Sequence, residues 1–219
     1  NLLNVFYLLV PGFVLLISFT HIPAVKTLMN SFYSTAKGRR ASKFVGLENY
    51  ETLWLDATFW KVFSNNIIYA LGVIPSSILL SLGMALWVNS KIIGRPFLRF
   101  SYFLPTVLPL IAVGNIWLFF YAPGFGLIDQ IVTSLGFQSL NILGSQESSL
   151  FGVMAVGIWK EAGFYMIFYL AGLQAIPPDL KEAAMIEGAN KWYIFWRITF
   201  PLLTPTTLFV SVNAVINSF

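Results

Sequence analysis

The chain has 219 residues, of which 57% are hydrophobic, 17% aromatic and only 10% charged, whereas an average soluble chain is about 25% charged. With a mean hydropathy of +0.75, this composition excludes a soluble enzyme and a disordered chain. There is no cysteine and one histidine, so thiolate chemistry and disulfides are excluded and we expect no metal site. The net charge of +4 is scattered between apolar runs, so we expect no nucleic-acid partner and interpret the basic residues as topology signals.

Five apolar stretches are long enough to cross a bilayer core of roughly 30 Å, which takes about 20 helical residues. They cover 5–25, 62–89, 100–121, 150–176 and a fifth stretch from about Ile198 to Phe219. The sequence therefore predicts an all-α, polytopic membrane protein with about five transmembrane helices. Because the fifth stretch has no basic anchor or polar tail after it, we expect residues 1–219 to be a single domain truncated at its C-terminus, from a bundle of six or more helices.

Prolines interrupt two of the predicted transmembrane helices. Pro75 lies in the second helix, and Pro105 and Pro109 lie in the first half of the third. Proline is tolerated inside a membrane where neighbouring helices or waters satisfy the freed carbonyls. We therefore expect kinked helices that line a cavity.

Lysine and arginine in the loops predict the orientation of the chain. Residues 122–149 contain neither and are expected outside, whereas 89–99 and 177–197 are basic and are expected in the cytoplasm. The N-terminus is then cytoplasmic and residues 31–61 lie outside, although that loop violates the rule. Its basic residues are Lys37, Arg39, Arg40, Lys43 and Lys61.

The segment 177–201 mixes charged residues with large apolar ones and differs from an ordinary connector. Asp179, with an acidic residue three positions later, is typical of a helix N-cap with a capping box. Gly188 and Asn190 can end or bend that helix, and a second helix is expected through 192–196. Two short helices joined at a glycine corner make a rigid knob that suits the docking of another protein.

This segment resembles the "EAA" signature of the permease subunits of bacterial binding-protein-dependent ABC importers, with Phe200 where that family usually has leucine. The matching residues are Glu182, Ala183, Ala184, Gly188, Ile198 and Pro201. Further matches resemble the carbohydrate-uptake branch of maltose and glycerol-phosphate type. They are Gly46 to Tyr50, Leu104 with Pro105 and Pro109, Gly126 with Leu127, and Ala171 to Gln174 with Ile176 and Pro177.

The resemblance implies an importer in the cytoplasmic (inner) membrane in which a second permease subunit completes the pathway, two ATPase subunits hydrolyse ATP, and an extracytoplasmic binding protein delivers a sugar or related polar solute. It also implies that 177–201 is a coupling segment whose Glu182 contacts a basic residue of the ATPase. The chain has no phosphate-binding loop, so we expect it to be no enzyme and to bind no cofactor itself. The alternative is that Glu182 merely caps its helix and Gly188 merely ends it.

Polar residues in the apolar stretches are candidates for the substrate pathway, because burying them in lipid is costly. Thr206, Asn213 and Asn217 fall at helical spacing on the fifth helix, where amides can exchange hydrogen bonds with sugar hydroxyls. Hydrogen bonding between helices is the other interpretation, and both stay open. Asn115 in the third helix is isolated, which favours helix packing.

Lys160 and Glu161 are the charged residues nearest the middle of a predicted span. As neighbours on a helix they point about 100° apart, so we expect that they do not pair face to face. Either they line a hydrated cavity or the helix starts later and both reach the interface. A secondary transporter or channel that uses this pair is the alternative function, although the chain shows no inverted repeat. The substrate stays open, since glycerol phosphate calls for a basic pocket and a neutral sugar for amides and aromatics.

Overall fold

A computed structural model describes residues 2–35, 42–90 and 93–219. Within these ranges the regular structure is helical, apart from one antiparallel bridge between Tyr33 and Phe44. The all-α prediction is therefore confirmed. The chain divides into two units, residues 1–63 and 64–219. Some of the basic residues used to predict the orientation lie outside the described residues, namely Lys37, Arg39, Arg40 and Lys91.

The first unit opens with an apolar helical stretch, Phe6–Asn30, of 25 residues. Helix α1 (Leu2–Leu16) continues through a π-helical turn (Ile17–His21) into α2 (Ile22–Asn30). None of the residues in the most apolar part of this stretch is buried by the chain itself. Such a surface is stable in lipid, which agrees with the first predicted span.

Hydrogen bonds around Asn49 fix the conformation of the chain that follows α2. The Asn49 amide donates to the carbonyl oxygens of Ser31 and Tyr33, at 2.7 and 3.0 Å. The hydroxyls of Tyr50 and Ser31 lie 2.6 Å apart, and Gly46 has φ +59°, which favours glycine. Helix α3 (Glu48–Leu55) therefore starts at a fixed place, and the motif from Gly46 to Tyr50 has a structural role.

The second unit is built around the long helix α8 (Gln146–Ala175). Its side chains Tyr165, Met166 and Tyr169 are at most 1% exposed. They form one core with residues of α4 (Ala57–Asn89) and of the last helix, α12 (Thr204–Ser218). Leu82, Ala85, Val88, Leu203, Val210 and Ala214 are the main contributors from outside α8.

Glycines let other helices approach α8 closely. A Cβ atom at Gly163 would fall against the carbonyl oxygen of Tyr102 in α5 (Arg95–Val107), and one at Gly172 would lie 2.7 Å from Thr206 Oγ1. Neither position has room for a side chain. Small residues at membrane helix interfaces serve this purpose, because they let backbones pack in contact.

The third predicted span is broken into two helices, so its prediction as one kinked helix is only partly right. Helix α5 ends at Val107, α6 (Leu110–Tyr121) begins three residues later, and their axes differ by 101°. Leu108 has the extended angles φ −69° and ψ 135°, which the following Pro109 favours because its ring excludes helical angles before it. Pro105 is accommodated inside α5. At about 20 Å and 18 Å, neither helix alone spans the bilayer core.

The helix that contains the predicted start of the fifth span, near Ile198, begins several residues before that start. One helical run extends over Lys191–Leu202 and bends by 63° into α12. The run consists of α10 (Lys191–Ile194), a π-helical segment (Phe195–Thr199) and α11 (Phe200–Leu202). The bend falls at Leu203, which is fully buried. Pro205 explains its place, because its ring cannot donate to the preceding turn and clashes with it.

Candidate functional site

The segment 177–201, which the sequence predicts to be cytoplasmic, begins with helix α9 (Pro178–Ile186), whose N-cap is Pro177. The predicted capping box on Asp179 is therefore wrong, since no side chain caps this helix and Asp179 lies in its first turn. Proline is favoured at the first helical position, because its missing donor is not needed there and its φ is already helical. Asp179 still favours the helix through its charge near the N-terminus.

Gly188 ends α9 in the way the sequence predicts. The N–H of Gly188 donates to the carbonyl of Met185 at 3.0 Å, and the N–H of Ala189 donates to that of Ala184 at 2.9 Å. This is a Schellman motif, which needs a residue with positive φ, and Gly188 has φ +82°. Asn190 then caps α10, because its Oδ1 accepts from the Tyr193 N–H at 2.8 Å. The corner between the two helices is therefore rigid.

The outer surface of this corner combines exposed apolar side chains with an unpaired carboxylate. Ile186 and Trp192 are 88% and 70% exposed. Glu182 is exposed and makes no ion pair with any residue that the structure describes. Of the other signature residues, Ala183, Gly188 and Pro201 are exposed, and Ala184 and Ile198 are half-buried. Exposed apolar patches next to polar groups mark surfaces that bind another protein or a membrane.

A cavity of about 540 Å³ lies among α4, α5, α6, α8 and α12, and its largely apolar wall carries several polar side chains. It brings together three of the predicted pathway residues, Lys160, Glu161 and Asn217. The other polar side chains that line it are Tyr69, Ser77, Thr106, Tyr165 and Ser218. Its volume is in the range of small-molecule sites.

Lys160 and Glu161 are an ion pair in the wall of this cavity. The Lys160 Nζ and Glu161 Oε1 atoms lie 3.9 Å apart, and their side chains are 23% and 24% exposed. The expectation that neighbours on a helix cannot pair is wrong here, because both side chains are long enough to converge beyond the backbone. Both lie well inside α8, which contradicts the alternative of a later helix start. The Thr106 hydroxyl donates to the Lys160 carbonyl at 3.2 Å and ties α5 to this place.

The predicted stripe on the last helix is divided between different environments. Asn217 reaches the cavity, and its amide donates to the Tyr165 hydroxyl at 3.4 Å. Asn213 instead donates to the carbonyl of Phe209 within its own helix, at 2.8 Å. Thr206 packs against α8, and Asn115 is exposed on α6. Among the cavity-lining residues that the structure describes, only Asn217 comes from this set of four.

Sequence reasoning missed Ser77 in the wall of the cavity. Ser77 is fully buried, and its hydroxyl has no hydrogen-bond partner among the described residues. A buried hydroxyl without a partner is unfavourable unless a ligand or water completes it. The polar dipeptide Ser76-Ser77 within an apolar stretch is the signal that could have revealed it.

Asp129, in the short helix α7 (Leu127–Ser134), organises the loop between α6 and α8. Its carboxylate accepts from the Ser139 hydroxyl and the Leu140 N–H, both at 2.8 Å, and from the Gly124 N–H at 2.7 Å. The Ser139 hydroxyl and then the two N–H groups hold the pKa of Asp129 below its usual range. The residue is only 3% exposed, so the loop closes around its charge.

The exposed corner at Gly188, the cavity and the several apolar helices are features that suit a membrane transport subunit. A family model described as "Binding-protein-dependent transport system inner membrane component" matches residues 77–219. The chain belongs to this family.

Individual relatives and solved structures agree with this assignment. The osmoprotective compounds uptake permease protein GgtC of Synechocystis sp. is 35% identical over 212 residues, which cover 94% of this chain and 74% of that protein. The sn-glycerol-3-phosphate transport system permease protein UgpA of Agrobacterium fabrum is 32% identical, covering 97% of this chain and 73% of that protein. A crystal structure of a bacterial ABC transporter that imports the acidic polysaccharide alginate superimposes with a TM-score of 0.78 at 25% identity, covering 96% of this chain and 71% of that one.

The chain is thus a permease subunit of a binding-protein-dependent ABC importer in the inner membrane. The resemblance found in the sequence is confirmed, and the alternative of a secondary transporter or channel falls away.

Proposed function

We propose that this permease forms half of the pathway for a sugar or a related small polar solute, and that residues 177–201 dock on an ATPase subunit. The polar side chains in the wall of the cavity support the proposed solute pathway. The names of related permeases support it as well, since they include osmoprotective compounds and, in Thermococcus litoralis, trehalose and maltose. A second permease subunit supplies the other half of the pathway.

ATP hydrolysis belongs to two partner subunits in this proposal. The chain has no G-x-x-x-x-G-K-[ST] phosphate-binding loop, so it binds no cofactor of its own and acts as a transport subunit. Energy reaches it through the contact at 177–201.

The single observation that carries the docking proposal is the exposed Glu182 beside the Gly188 corner. The carboxylate has no partner among the described residues, and the corner that presents it is fixed by two backbone hydrogen bonds and the Asn190 cap. A rigid surface loses little conformational freedom on binding, which favours affinity. An exposed carboxylate next to apolar side chains fits a groove with a basic residue in it.

Replacing Glu182 by glutamine tests this contact. Glu182→Gln keeps the size of the side chain but removes its charge, and a hydrogen bond to a charged group contributes about 1.5–3 kcal/mol. We therefore expect the ATPase subunit to bind the permease about 10- to 100-fold more weakly. Titration of the ATPase subunit onto the permease pair in lipid nanodiscs measures this affinity, and solute uptake should fall in parallel.

The matched control is Glu51→Gln, which removes the same charge from an exposed residue of α3, outside the segment 177–201. We expect its affinity to stay within about twofold of the unmodified chain, as usual for an exposed charge outside a contact. Equal affinities for both variants would contradict the assignment of Glu182 to the docking surface.

A further inference from the structure

We infer that the ion pair of Lys160 with Glu161 sets the charge selectivity of the cavity, so that this permease accepts uncharged, hydroxyl-rich solutes and disfavours anions. The inference rests on the proposed function, because it concerns the solute that this pathway carries. It narrows the substrate class, which family membership leaves open. Related proteins are named for trehalose and maltose as well as for sn-glycerol-3-phosphate.

The charges of the cavity cancel locally. Among the described residues that line it, Lys160 and Glu161 are the only lysine, arginine, aspartate or glutamate side chains. Their charged atoms lie 3.9 Å apart, and both side chains are largely buried. In a medium of low polarity each charge alone would strongly attract an ion of opposite sign. Held together, they offer a donor and an acceptor without a net charge.

The remaining polar groups of the wall suit hydroxyl groups. The buried Ser77 hydroxyl has no partner, and the bond from Asn217 to Tyr165 is long, at 3.4 Å. Tyr69 and Thr106 add two further hydroxyls. A solute hydroxyl both donates and accepts hydrogen bonds, so it can supply the hydrogen-bond partners that these wall groups lack. The ionised group of an anionic solute brings only acceptors and would place a like charge near the Glu161 carboxylate.

The cysteine-free chain allows the potential in the cavity to be measured directly. Asn217→Cys and Thr106→Cys each place a thiol on the wall, in a complex whose other subunits have been made cysteine-free by substitution. The probes are an anionic and a cationic methanethiosulfonate reagent of similar size, and the readout is the ratio of their reaction rates at low salt. Each rate is divided by the rate with a free thiol.

With the ion pair intact, we expect the normalised reaction rates of the anionic and cationic reagents to agree within about threefold. Glu161→Gln leaves Lys160 uncompensated and should raise the ratio of anionic to cationic reagent about tenfold, whereas Lys160→Gln should lower it about tenfold. The double variant, Lys160→Gln with Glu161→Gln, is the matched control, and its ratio should return to near one. A structural role of the pair alone would lower complex yield without moving these ratios.

Three results would overturn the inference. They are a strong preference for the anionic reagent with the pair intact, a ratio that neither single variant changes, and a failure of both introduced cysteines to react, which would show that water does not reach the cavity. The Glu182 experiment measures the affinity of the ATPase subunit and does not depend on the rates of thiol modification. A failure of the docking proposal and a failure of the charge-selectivity inference can therefore be distinguished.

Discussion

Asp129 shows how a single carboxylate can order a loop. It accepts one hydroxyl and two backbone N–H groups from positions up to 11 residues away. The loop between α6 and α8 therefore depends on the charge of this residue.

The pH dependence of the loop follows from the lowered pKa of Asp129. A carboxylate whose pKa is lower in the folded state stabilises that state fully above its ordinary pKa of 3.8, and this contribution is lost as the pH falls through the lowered value. We expect a protease added outside right-side-out vesicles to cleave residues 122–149 slowly between pH 5 and 8. Asp129→Asn should be cleaved several-fold faster at pH 7, because its amide N–H₂ would face backbone N–H donors.

The control for this prediction is Glu51→Gln, which neutralises an exposed acid whose side chain makes no hydrogen bond in the described structure. Its cleavage rate in the 122–149 loop should match that of the unmodified chain. A cleavage rate for Asp129→Asn that also matches would contradict the bracing role.

For single residues, the sequence predicts the polarity of the environment better than the hydrogen-bond partners. The polarity of Lys160, Glu161 and Asn217 predicts their position away from lipid, and all three line one cavity. Asn213 has the same chemistry, but its amide bonds within its own helix. Which of the two side chains reaches the cavity depends on how α12 packs against α8, and local spacing does not show that. The role of Asp129 could not be predicted either, because local spacing does not show that Gly124, Ser139 and Leu140 converge on it.

Among the elements, the contact of α5 with α8 depends most on a single small residue. A Cβ atom at Gly163 would collide with the backbone of Tyr102, and a backbone atom cannot move aside as a flexible side chain can. Overpacking of this kind typically costs about 1–3 kcal/mol. We expect Gly163→Ala to lower the midpoint of thermal unfolding of the purified complex by several degrees.

Gly83→Ala is the matched control for this variant. Gly83 also lies inside a helix, but a Cβ atom there would meet nothing within 4 Å. Alanine favours a helix over glycine by about 1 kcal/mol, so the midpoint should stay unchanged or rise. Intrinsic fluorescence in a temperature ramp measures both variants. Equal midpoints for the two would contradict the close approach of α5 to α8.

Helix existence could be predicted from the sequence, and helix boundaries only in part. The apolar stretches 62–89 and 150–176 correspond to α4 and α8 within a few residues. The break at Leu108 was foreseeable as a kink at Pro109, but its angle of 101° depends on tertiary packing. The continuity of Lys191–Leu202 was missed because the change from charged to apolar residues at Ile198 occurs in the middle of a helix.

For the whole molecule, the broken pair α5 and α6 decides the topology. If both together cross the membrane, Gln138 lies outside and Lys191 in the cytoplasm, as the distribution of basic residues predicts. If the 101° bend made a re-entrant loop, Gln138 would lie on the same side as residues 93–99, in the cytoplasm, and Lys191 would lie outside, because α8 crosses between Gln138 and Lys191. We expect Gln138→Cys to react with an impermeant maleimide in right-side-out vesicles and Lys191→Cys to react only after the vesicles are opened.

Labelling after disruption of the vesicles is the control that both thiols are accessible. Reaction of Lys191→Cys from outside would contradict the proposed orientation and also the docking of 177–201 on a cytoplasmic ATPase. Protection of Gln138→Cys in sealed vesicles would show that the broken pair does not cross.

The helical run Lys191–Leu202 joins the Gly188 corner to α12 through continuous helix. Only Ala189 and Asn190 separate this run from Gly188, and the bend at its other end is fully buried at Leu203. Asn217, in the wall of the cavity, lies about 20 Å along α12 from that bend. A tilt of about 10° at Leu203 would move Asn217 by about 4 Å, roughly the separation of the charged atoms of Lys160 and Glu161. A small displacement of the corner is therefore enough, mechanically, to reshape the wall of the cavity.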